Sequence, residues 1–221
     1  MIYALHGNVG STADFDFLPD VTPIDLWQHS HLSLKDAAAE IRSQAKNQRP
    51  RGILGYSMGG RIALQSLADA PNFWDFAIII SAHPGLTSEK ERRKRIQSDE
   101  KWAQELKTGD WDQFLEKWNS QPTLSGPVSK NQSALKSKRK AISAGFQNWS
   151  LGQQENLRPR LVNHPCPIFW IVGERDEKYI ELGTETVTQM PNGLLVKAPD
   201  CGHRVLLEAQ DAIRSLLESI A

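Results

Sequence analysis

The 221-residue sequence contains only two cysteines, Cys166 and Cys201, which are too few for a fold held together by disulfide bonds. No Cys/His group has the spacing of a metal site, and neither a G-x-G-x-x-G nor a P-loop sequence occurs, so we expect no metal and no cofactor. No apolar run approaches the ~20 residues that a membrane-spanning helix needs. The first ten residues lack the features of a signal peptide, so we expect a cytoplasmic protein with reduced thiols.

The chain also lacks an excess of either charge, because 26 Lys and Arg residues balance 26 Asp and Glu residues. Nucleic-acid-binding proteins gain much of their affinity from basic groups that neutralise phosphates, so this balance argues against a nucleic-acid partner. A hydrophobic content of 39% with 24% charged residues is typical of a globular chain and excludes a disordered one. The length predicts one domain, with or without an inserted subdomain, and leaves the oligomeric state open.

Short apolar runs alternate with longer amphipathic stretches, which is the pattern of a parallel sheet covered by helices on both faces. Near-continuous apolar segments such as FAIII and PIFWIV are typical of strands that are buried on both sides. We predict an α/β fold with six strands, at residues 2–5, 21–26, 52–55, 76–81, 168–172 and 194–198. Residues 205–220 repeat apolar side chains at helical spacing and predict a single C-terminal amphipathic helix.

The stretch from residue 86 to residue 160 differs from the rest of the chain. It contains no convincing strand and holds four of the seven tryptophans, at positions 102, 111, 118 and 149. Residues 86–165 carry 15 Lys and Arg against 9 Asp and Glu, so the remainder of the chain is acidic by the same margin. We predict a core formed by residues 1–85 and 161–221, with residues 86–160 inserted between two strands as a basic helical lid. Alternatively, the basic runs EKERRKR and KSKRK are ordinary solvated helix faces.

Residues 55–60, GYSMGG, match G-x-S-x-G and lie between a predicted buried strand and a predicted helix. In this context the sequence is typical of a nucleophile elbow, a tight turn that holds its serine in a strained conformation. Gly55 and Gly59 are required because the neighbouring backbone leaves no room for side chains. The turn would expose the Ser57 hydroxyl above the carboxyl edge of the sheet, beside the Met58 N–H at a helix N-terminus.

A nucleophilic serine needs a base and an acid that orients the base, in the chain order Ser, Asp, His for this type of turn. Asp176 follows the fifth predicted strand, and His203 follows the sixth. Both would therefore lie at the same sheet edge as Ser57, with Asp176 fixing the tautomer of His203. Glu174 and Asp200 are rival candidates for the acid.

A further N–H donor is predicted in the loop after the first strand, where the sequence reads LHGN. The backbone N–H of Asn8 would face that of Met58, and together they would form an oxyanion hole. His6 is then a structural residue that fixes this loop.

Several segments resemble one branch of the α/β-hydrolase superfamily, the 2-succinyl-6-hydroxy-2,4-cyclohexadiene-1-carboxylate synthases of menaquinone and phylloquinone biosynthesis. They are GYSMGGR (55–61), HPGLTSEKERRKRIQSDEKWA (83–103), WNSQP (118–122), LRPRL (157–161) and GERDEKY (173–179). The similarity extends over nearly the whole chain. It implies an α/β-hydrolase fold with a mostly parallel sheet. The sequence departs from this family by starting directly on the strand that leads to His6, so we expect about six strands and no N-terminal hairpin before them.

The resemblance also implies a lyase reaction rather than hydrolysis. The substrate would be 2-succinyl-5-enolpyruvyl-6-hydroxy-3-cyclohexene-1-carboxylate, from which the enzyme removes pyruvate. Ser57, deprotonated by His203 and supported by Asp176, would abstract a ring proton. The Asn8 and Met58 N–H groups would stabilise the negative charge that develops on a carboxylate.

Guanidinium groups bind carboxylates through paired hydrogen bonds, which suits a substrate that carries several carboxylates. By resemblance, Arg61, Arg95 and Arg158 would hold these groups, with Arg160 as a rival to Arg158. Tyr56 and Trp118 would line the pocket.

Two other functions remain open at this stage. The first is a serine esterase or thioesterase acting on a small carboxylate-bearing ester, with Ser57 acylated and then released by water. The second is a non-catalytic ligand-binding member of the fold. The three arginines favour the lyase over an enzyme for neutral esters, and the choice between menaquinone and phylloquinone is left open.

Overall fold

The computed structural model describes residues 1–45, 49–129 and 131–220. Its centre is one six-stranded sheet, and each neighbouring pair of strands is parallel. The strands are β1 (Ile2–Leu5), β2 (Val21–Ile24), β3 (Gly52–Tyr56), β4 (Phe76–Ile80), β5 (Ile168–Gly173) and β6 (Gly193–Ala198). Their order across the sheet is β2-β1-β3-β4-β5-β6. All six predicted strands are confirmed, and each observed end lies within two residues of its predicted position.

The largest difference is at the end of β2, which stops two residues before the predicted end. The Asp25 side chain accepts a hydrogen bond of 3.3 Å from the Trp27 N–H and begins a short 3₁₀ helix, Leu26–His29. The Asp25 cap therefore ends β2 at Ile24 and places Leu26 in the 3₁₀ helix, although the prediction had Leu26 in the strand.

Successive strand residues alternate between two buried layers. Leu5 and Ile53 belong to the core on one side of the sheet, whereas Ala4 and Leu54 belong to the core on the other. Helices cover both faces, which explains why the strand sequences are apolar without alternation. Among the described residues these helices are α1 (Leu34–Gln44), α2 (Met58–Asp69), α7 (Glu177–Val187), α8 (Val205–Glu208) and α9 (Gln210–Ile220).

The described part of the stretch between β4 and β5 consists of helices and loops, with no strand. It contains α3 (Glu89–Thr108), α4 (Trp111–Asn119), α5 (Arg139–Asn148) and α6 (Arg158–Leu161), with short 3₁₀ helices at Pro122–Leu124 and Ser133–Lys138. We call the described part of residues 89–161 the helical insert. The Trp102 and Phe146 rings meet the Trp118 ring edge-on, with centroids 5.4 and 5.2 Å apart. Aromatic packing thus joins α3, α4 and α5 into one unit.

The single C-terminal helix predicted for residues 205–220 is instead two helices, α8 and α9. Ala209 separates them, with φ −123° and ψ 46°. The Glu208 carboxylate accepts a hydrogen bond of 3.3 Å from the Gly202 N–H, which holds α8 against the preceding loop. α9 begins separately and buries Ile213 against the sheet. Across the part of the chain that the structure covers, none of the helices combines the length and the apolarity needed to traverse a bilayer.

Candidate active site

Ser57 lies in the turn between β3 and α2, with a strained backbone of φ 51° and ψ −107°. Its N–H donates to the Ile80 carbonyl over 2.8 Å, which anchors the turn to the neighbouring strand. A Cβ atom on Gly59 would lie 2.3 Å from the Leu5 carbonyl oxygen, and one on Gly55 would lie 2.6 Å from the Gly59 carbonyl oxygen. Only glycine fits at these two positions, because the N-terminus of α2 touches the end of β1.

The Ser57 hydroxyl, the His203 ring and the Asp176 carboxylate form one hydrogen-bonded row. Ser57 Oγ is 3.2 Å from His203 Nε2, and His203 Nδ1 is 2.8 Å from Asp176 Oδ2. His203 and Asp176 are both buried. With the Asp176 carboxylate accepting from Nδ1–H, the His203 Nε2 lone pair faces the serine hydroxyl. The row can therefore withdraw a proton from Ser57.

The loops after β5 and β6 approach each other closely, and this places Asp176 beside His203. A Cβ atom on Gly173 would lie only 2.0 Å from the Gly202 carbonyl oxygen. The Arg175 N–H donates to the Cys201 carbonyl over 2.9 Å. Asp176 also begins α7 by accepting from the Tyr179 N–H at 3.4 Å.

The two rival acids lie elsewhere in these loops. Glu174 and Asp200 are both exposed, and the Glu174 carboxylate accepts from the Asp200 N–H over 3.2 Å. Neither carboxylate is hydrogen-bonded to His203, whereas that of Asp176 is.

Two backbone N–H groups start from the same sheet edge as Ser57. Leu5 of β1 pairs with Gly55 of β3, so the loop that carries Asn8 and the turn that carries Met58 begin at the same level. Within the described chain, neither the Asn8 N–H nor the Met58 N–H donates to a protein acceptor. Both are therefore available to an anionic oxygen.

His6 is fully buried beneath this loop. Its Nδ1 is 2.9 Å from the Gly7 carbonyl oxygen, and its Nε2 accepts from the Leu26 N–H over 3.1 Å. Burial lowers the pKa of His6, which keeps the ring neutral. Both nitrogens are thus occupied by backbone groups, which fits a role in fixing the loop.

A cavity of about 160 Å³ opens above Ser57 and His203, between the sheet edge and the helical insert. Three cationic side chains line it, those of Arg95, Lys178 and Arg204, against the single carboxylate of Asp14. The cavity is therefore positive overall and suited to an anionic ligand.

Arg95 is paired with a buried carboxylate through its Nε–H, and its two Nη groups have no partner among the described residues. Its Nε–H lies 2.9 Å from both carboxylate oxygens of buried Asp99, which also accepts from the Ser150 hydroxyl over 2.7 Å. Among the described residues, the Arg95 guanidinium makes no other hydrogen bond. Lys178 forms no ion pair with a described carboxylate, and its ammonium lies 6.0 Å from the Tyr179 ring centroid. Both cations can therefore bind a ligand's carboxylates.

Arg61 lies deeper, on α2, and does not contact the cavity directly. It is 5% exposed, and its guanidinium donates to Gln154 Oε1 over 3.3 Å. Within the described part of the chain no carboxylate pairs with it. Burial, followed by repulsion from Arg95, lowers the pKa of Arg61 to about 10, so the group stays charged at neutral pH.

The structure does not bring Arg158 or its rival Arg160 to this cavity. Arg158 donates to the Gly85 carbonyl at 2.9 Å and pairs with Glu185 at 3.3 Å. Arg160 pairs with Asp69 at 2.8 Å. The short helix α6 carries both arginines to the outer side of α2 and α7, where these carboxylates neutralise them.

Aromatic side chains complete the cavity wall. Trp118, Tyr56 and Tyr179 all line it, and the Tyr179 ring lies 4.4 Å from the His203 ring, centroid to centroid. The Tyr56 ring is 6.2 Å from the same ring. Burial raises the pKa of both tyrosines, so both remain neutral phenols.

Sequence reasoning missed several cavity residues, among them Lys178, Tyr179 and Arg204. A signal existed for all three, because Lys178 and Tyr179 follow Asp176 within GERDEKY and Arg204 follows His203 directly. Asp14, in the segment after β1, and Gln132, in the insert, carried no such signal, since only the folding of the whole chain brings them to the cavity. Among the described residues, no group of His, Cys, Asp or Glu is arranged to hold a metal ion.

Comparison with known proteins gives a consistent set of similarities. A model described as the alpha/beta hydrolase family matches residues 3–216. The 2-succinyl-6-hydroxy-2,4-cyclohexadiene-1-carboxylate synthase of Enterobacter sp. (strain 638) is 31% identical over 173 residues, which cover 76% of this chain and 65% of that protein. The match thus spans slightly less than two thirds of that relative.

A protein of Haemophilus influenzae, named as a putative synthase of the same type, is 30% identical over 232 residues. The alignment covers 94% of this chain and 91% of that protein. The solved structure of MenH from S. aureus superposes with a TM-score of 0.80 at 21% identity, over 99% of this chain and 91% of that one.

Proposed function

The chain belongs to the alpha/beta hydrolase family, alongside relatives named 2-succinyl-6-hydroxy-2,4-cyclohexadiene-1-carboxylate synthase, and from this premise we propose that it is a carbon–oxygen lyase. Its substrate is 2-succinyl-5-enolpyruvyl-6-hydroxy-3-cyclohexene-1-carboxylate, and its products are the named cyclohexadiene and pyruvate. The proposal includes a cytoplasmic location and a small anionic molecule as the ligand.

One observation carries this proposal: cations surround a serine–histidine–aspartate row. Arg95, Lys178 and Arg204 line the cavity, and Arg61 lies buried behind it without a carboxylate partner among the described residues. A buried cation without a counterion is costly unless a ligand supplies the opposite charge. The proposed substrate carries three carboxylates, on the ring, the succinyl arm and the enolpyruvyl group. The cations would hold these groups while the reacting carbon faces Ser57.

The reaction follows from the positions of the double bonds in substrate and product. His203 Nε2 takes the Ser57 proton, and the serine oxygen takes the proton from ring carbon 2. That electron pair forms the bond between carbons 2 and 3, the former 3-ene pair moves between carbons 4 and 5, and the C5–O bond breaks. Enolpyruvate leaves with the electron pair of that bond and becomes pyruvate after protonation.

Carbon 2 is attached to the succinyl ketone, so negative charge develops on the ketone oxygen as the proton leaves. In the proposed reaction that oxygen accepts from the Asn8 and Met58 N–H groups, which donate to no acceptor among the described residues. This role replaces the expectation that they hold a carboxylate. The Asp176 carboxylate, 2.8 Å from His203 Nδ1, stabilises the His203 imidazolium.

The second candidate is a serine hydrolase that acts on a small carboxylate-bearing ester. The same row of side chains and the same two N–H groups suit acylation of Ser57 equally well. The cations favour an anionic ester over a neutral one. In this alternative Ser57 attacks the ester carbonyl and water later releases the acyl group, whereas in the lyase Ser57 removes a proton and the C5–O bond breaks.

Pyruvate release from the enzymatically prepared substrate tests the proposal, with Ser57→Ala as the background control. That control is required because an allylic leaving group departs slowly without a catalyst. We expect release at least about a thousandfold above the Ser57→Ala rate. Equal rates in the two proteins would exclude the lyase, and a panel of anionic esters would then test the hydrolase.

A further inference from the structure

We infer that Gln132, in the helical insert, is a positioning residue that holds the oxyanion donor of Asn8 in place through the backbone of Val9. The inference rests on the proposed function, because it assumes that the Asn8 N–H binds developing negative charge. It assigns a role to a side chain 124 residues away from Asn8 in the sequence.

The backbone of Val9 is strained. Val9 has φ 53° and is fully buried, directly after Asn8. A β-branched residue rarely adopts this left-handed conformation, because its Cβ crowds the adjoining backbone. Such a conformation persists only where neighbouring groups hold it. Asn8 and Val9 are the two central residues of a turn that the Gly10 N–H closes by donating to the Gly7 carbonyl over 3.2 Å, so the conformation of Val9 helps to fix the Asn8 N–H one peptide earlier.

Gln132 supplies a contact of this kind. Its side-chain Nε2 donates to the Val9 carbonyl over 3.4 Å, and the Gln132 side chain is itself buried at the cavity wall. The opposite end of the amide is fixed as well, because Gln132 Oε1 accepts from Asn119 Nδ2 over 2.9 Å. The Gln132 amide is therefore held in one orientation, with its donor directed at Val9.

The same hydrogen-bonded chain continues to the other side of Ser57. Asn119 Oδ1 accepts from Arg204 Nη2 over 2.6 Å, and Arg204 follows His203 in sequence. Arg204 also donates to the Pro127 carbonyl over 2.7 Å. Two side chains of the insert thus connect the loop that bears the oxyanion donor to the loop that bears the base.

A second set of hydrogen bonds also joins the insert to the loop after β1. Ser129 Oγ donates to Asp14 Oδ1 over 2.7 Å, while Asp14 Oδ2 accepts from the Ser11 N–H over 3.0 Å. These two bonds fix the loop after β1 at Ser11 and Asp14, three and six residues beyond Asn8. Neither bond reaches Val9, to which the insert side chain of Gln132 donates.

Gln132→Glu provides the sharpest test. The glutamate has the same length and retains an acceptor for Asn119, but it places a carboxylate oxygen, which cannot donate, beside the Val9 carbonyl. Gln132→Leu removes both hydrogen bonds, and Asn119→Ala removes the anchor of the amide. Gln113→Leu is the matched control, because Gln113 is exposed on α4 of the same insert.

We expect Gln132→Leu, which adds no charge to the cavity, to lower kcat for pyruvate release by about tenfold or more, with KM changed less than twofold. The donor would be displaced from the transition state while the cations that bind the substrate remain in place. Gln132→Glu should lower kcat to a similar extent and also raise KM, because its carboxylate joins the lining of a cavity that binds an anion. Phosphonylation of Ser57 by an aryl fluorophosphonate should slow by a similar factor, since the phosphoryl oxygen uses the same N–H donors. Asn119→Ala should show a smaller decrease in both rates, and Gln113→Leu should show none.

The rate of Ser57 phosphonylation distinguishes failure of this inference from failure of the proposed function. If wild-type protein releases no pyruvate, the lyase is excluded, but the ratio of labelling rates still tests Gln132. Equal labelling of wild type and Gln132→Glu, a rise in KM at constant kcat, or a wild-type serine that resists the reagent would each overturn the inference. If Gln132→Leu does not fold, as judged by circular dichroism, Gln132→Glu and Asn119→Ala still decide it.

Discussion

At the scale of single residues, the placement of Arg61 is hard to explain by stability alone. The side chain is 5% exposed and donates to one neutral acceptor, Gln154 Oε1, while no described carboxylate pairs with it. Arg95, another cation, lies close enough to lower its pKa further. A group that destabilises the empty protein in this way is typical of a binding site, where a ligand supplies the missing charge.

Arg61→Met should therefore stabilise the fold and weaken catalysis. Methionine has a similar length and removes a buried charge that Asp99 offsets only in part, so we expect the free energy of unfolding to rise by about 1–3 kcal/mol. The kcat/KM for pyruvate release should fall by about tenfold or more, because part of the field that attracts the carboxylates is lost. Urea unfolding measures the first effect, and steady-state kinetics measure the second.

Arg93→Met is the matched control for this prediction, since Arg93 is exposed on α3 and pairs with Glu89 at the surface. It should change neither quantity beyond about 0.5 kcal/mol or twofold. A destabilised Arg61→Met protein would show instead that Arg61 supports the fold.

At the scale of secondary-structure elements, the elbow depends on close contact between two backbones. The N-terminal turn of α2 lies against the end of β1, and the space at Gly59 is closed by the Leu5 and His6 carbonyl oxygens. Because both neighbours are backbone atoms, at the end of β1 and at the residue that follows it, neither can move aside without displacing the strand.

Gly59→Ala should consequently unfold the protein or destabilise it by more than about 3 kcal/mol, since the new Cβ would lie 2.3 Å from the Leu5 oxygen. Gly202→Ala is the matched control at the same sheet edge, where the nearest atom to a new Cβ is the Glu208 Oε1 at 3.8 Å. We expect it to retain the native melting temperature within a few degrees. Similar melting temperatures for the two variants would contradict this account of the elbow.

The elements could be predicted well from the sequence, but the contacts between them could not. FAIII and PIFWIV predicted strands because burial on both faces leaves only apolar residues. Spacing alone left three carboxylates, at positions 174, 176 and 200, as partners for His203, and only the loop geometry distinguishes Asp176. The bond of Gln132 to Val9 joins residues 123 positions apart and has no local pattern.

At the scale of the whole molecule, the segment that contains the insert is basic. Residues 86–165 carry 15 Lys and Arg against 9 Asp and Glu, and Arg95 of this segment faces the cavity. His83 lies just before this segment in the sequence, 5% exposed, with its Nδ1 accepting from the Gly85 N–H over 3.0 Å. Burial first, and then Lys178, Arg158, Arg61 and Arg95, lower the pKa of His83 to about 3.

This lowered pKa predicts a loss of stability in mild acid. Below pH 6.5 the unfolded chain binds a proton at His83 that the folded chain rejects until about pH 3, so stability falls as the pH decreases through this window. Through His83 alone, lowering the pH from 7 to 5 should reduce the free energy of unfolding by about 2 kcal/mol. Burial lowers the pKa of His6 and His164 as well, which adds loss in the same direction.

His83→Asn isolates this contribution, because the asparagine oxygen can replace Nδ1 as the acceptor for Gly85 while the group no longer titrates. Urea unfolding at pH 7 and pH 5 should show that the free energy lost on acidification is about 2 kcal/mol smaller in the variant than in wild type. His31→Asn, at an exposed histidine, should leave the loss unchanged. If wild type and His83→Asn lose the same free energy of unfolding, then His83 accepts its proton in the folded protein. The surrounding cations would in that case not lower the pKa of His83 as described.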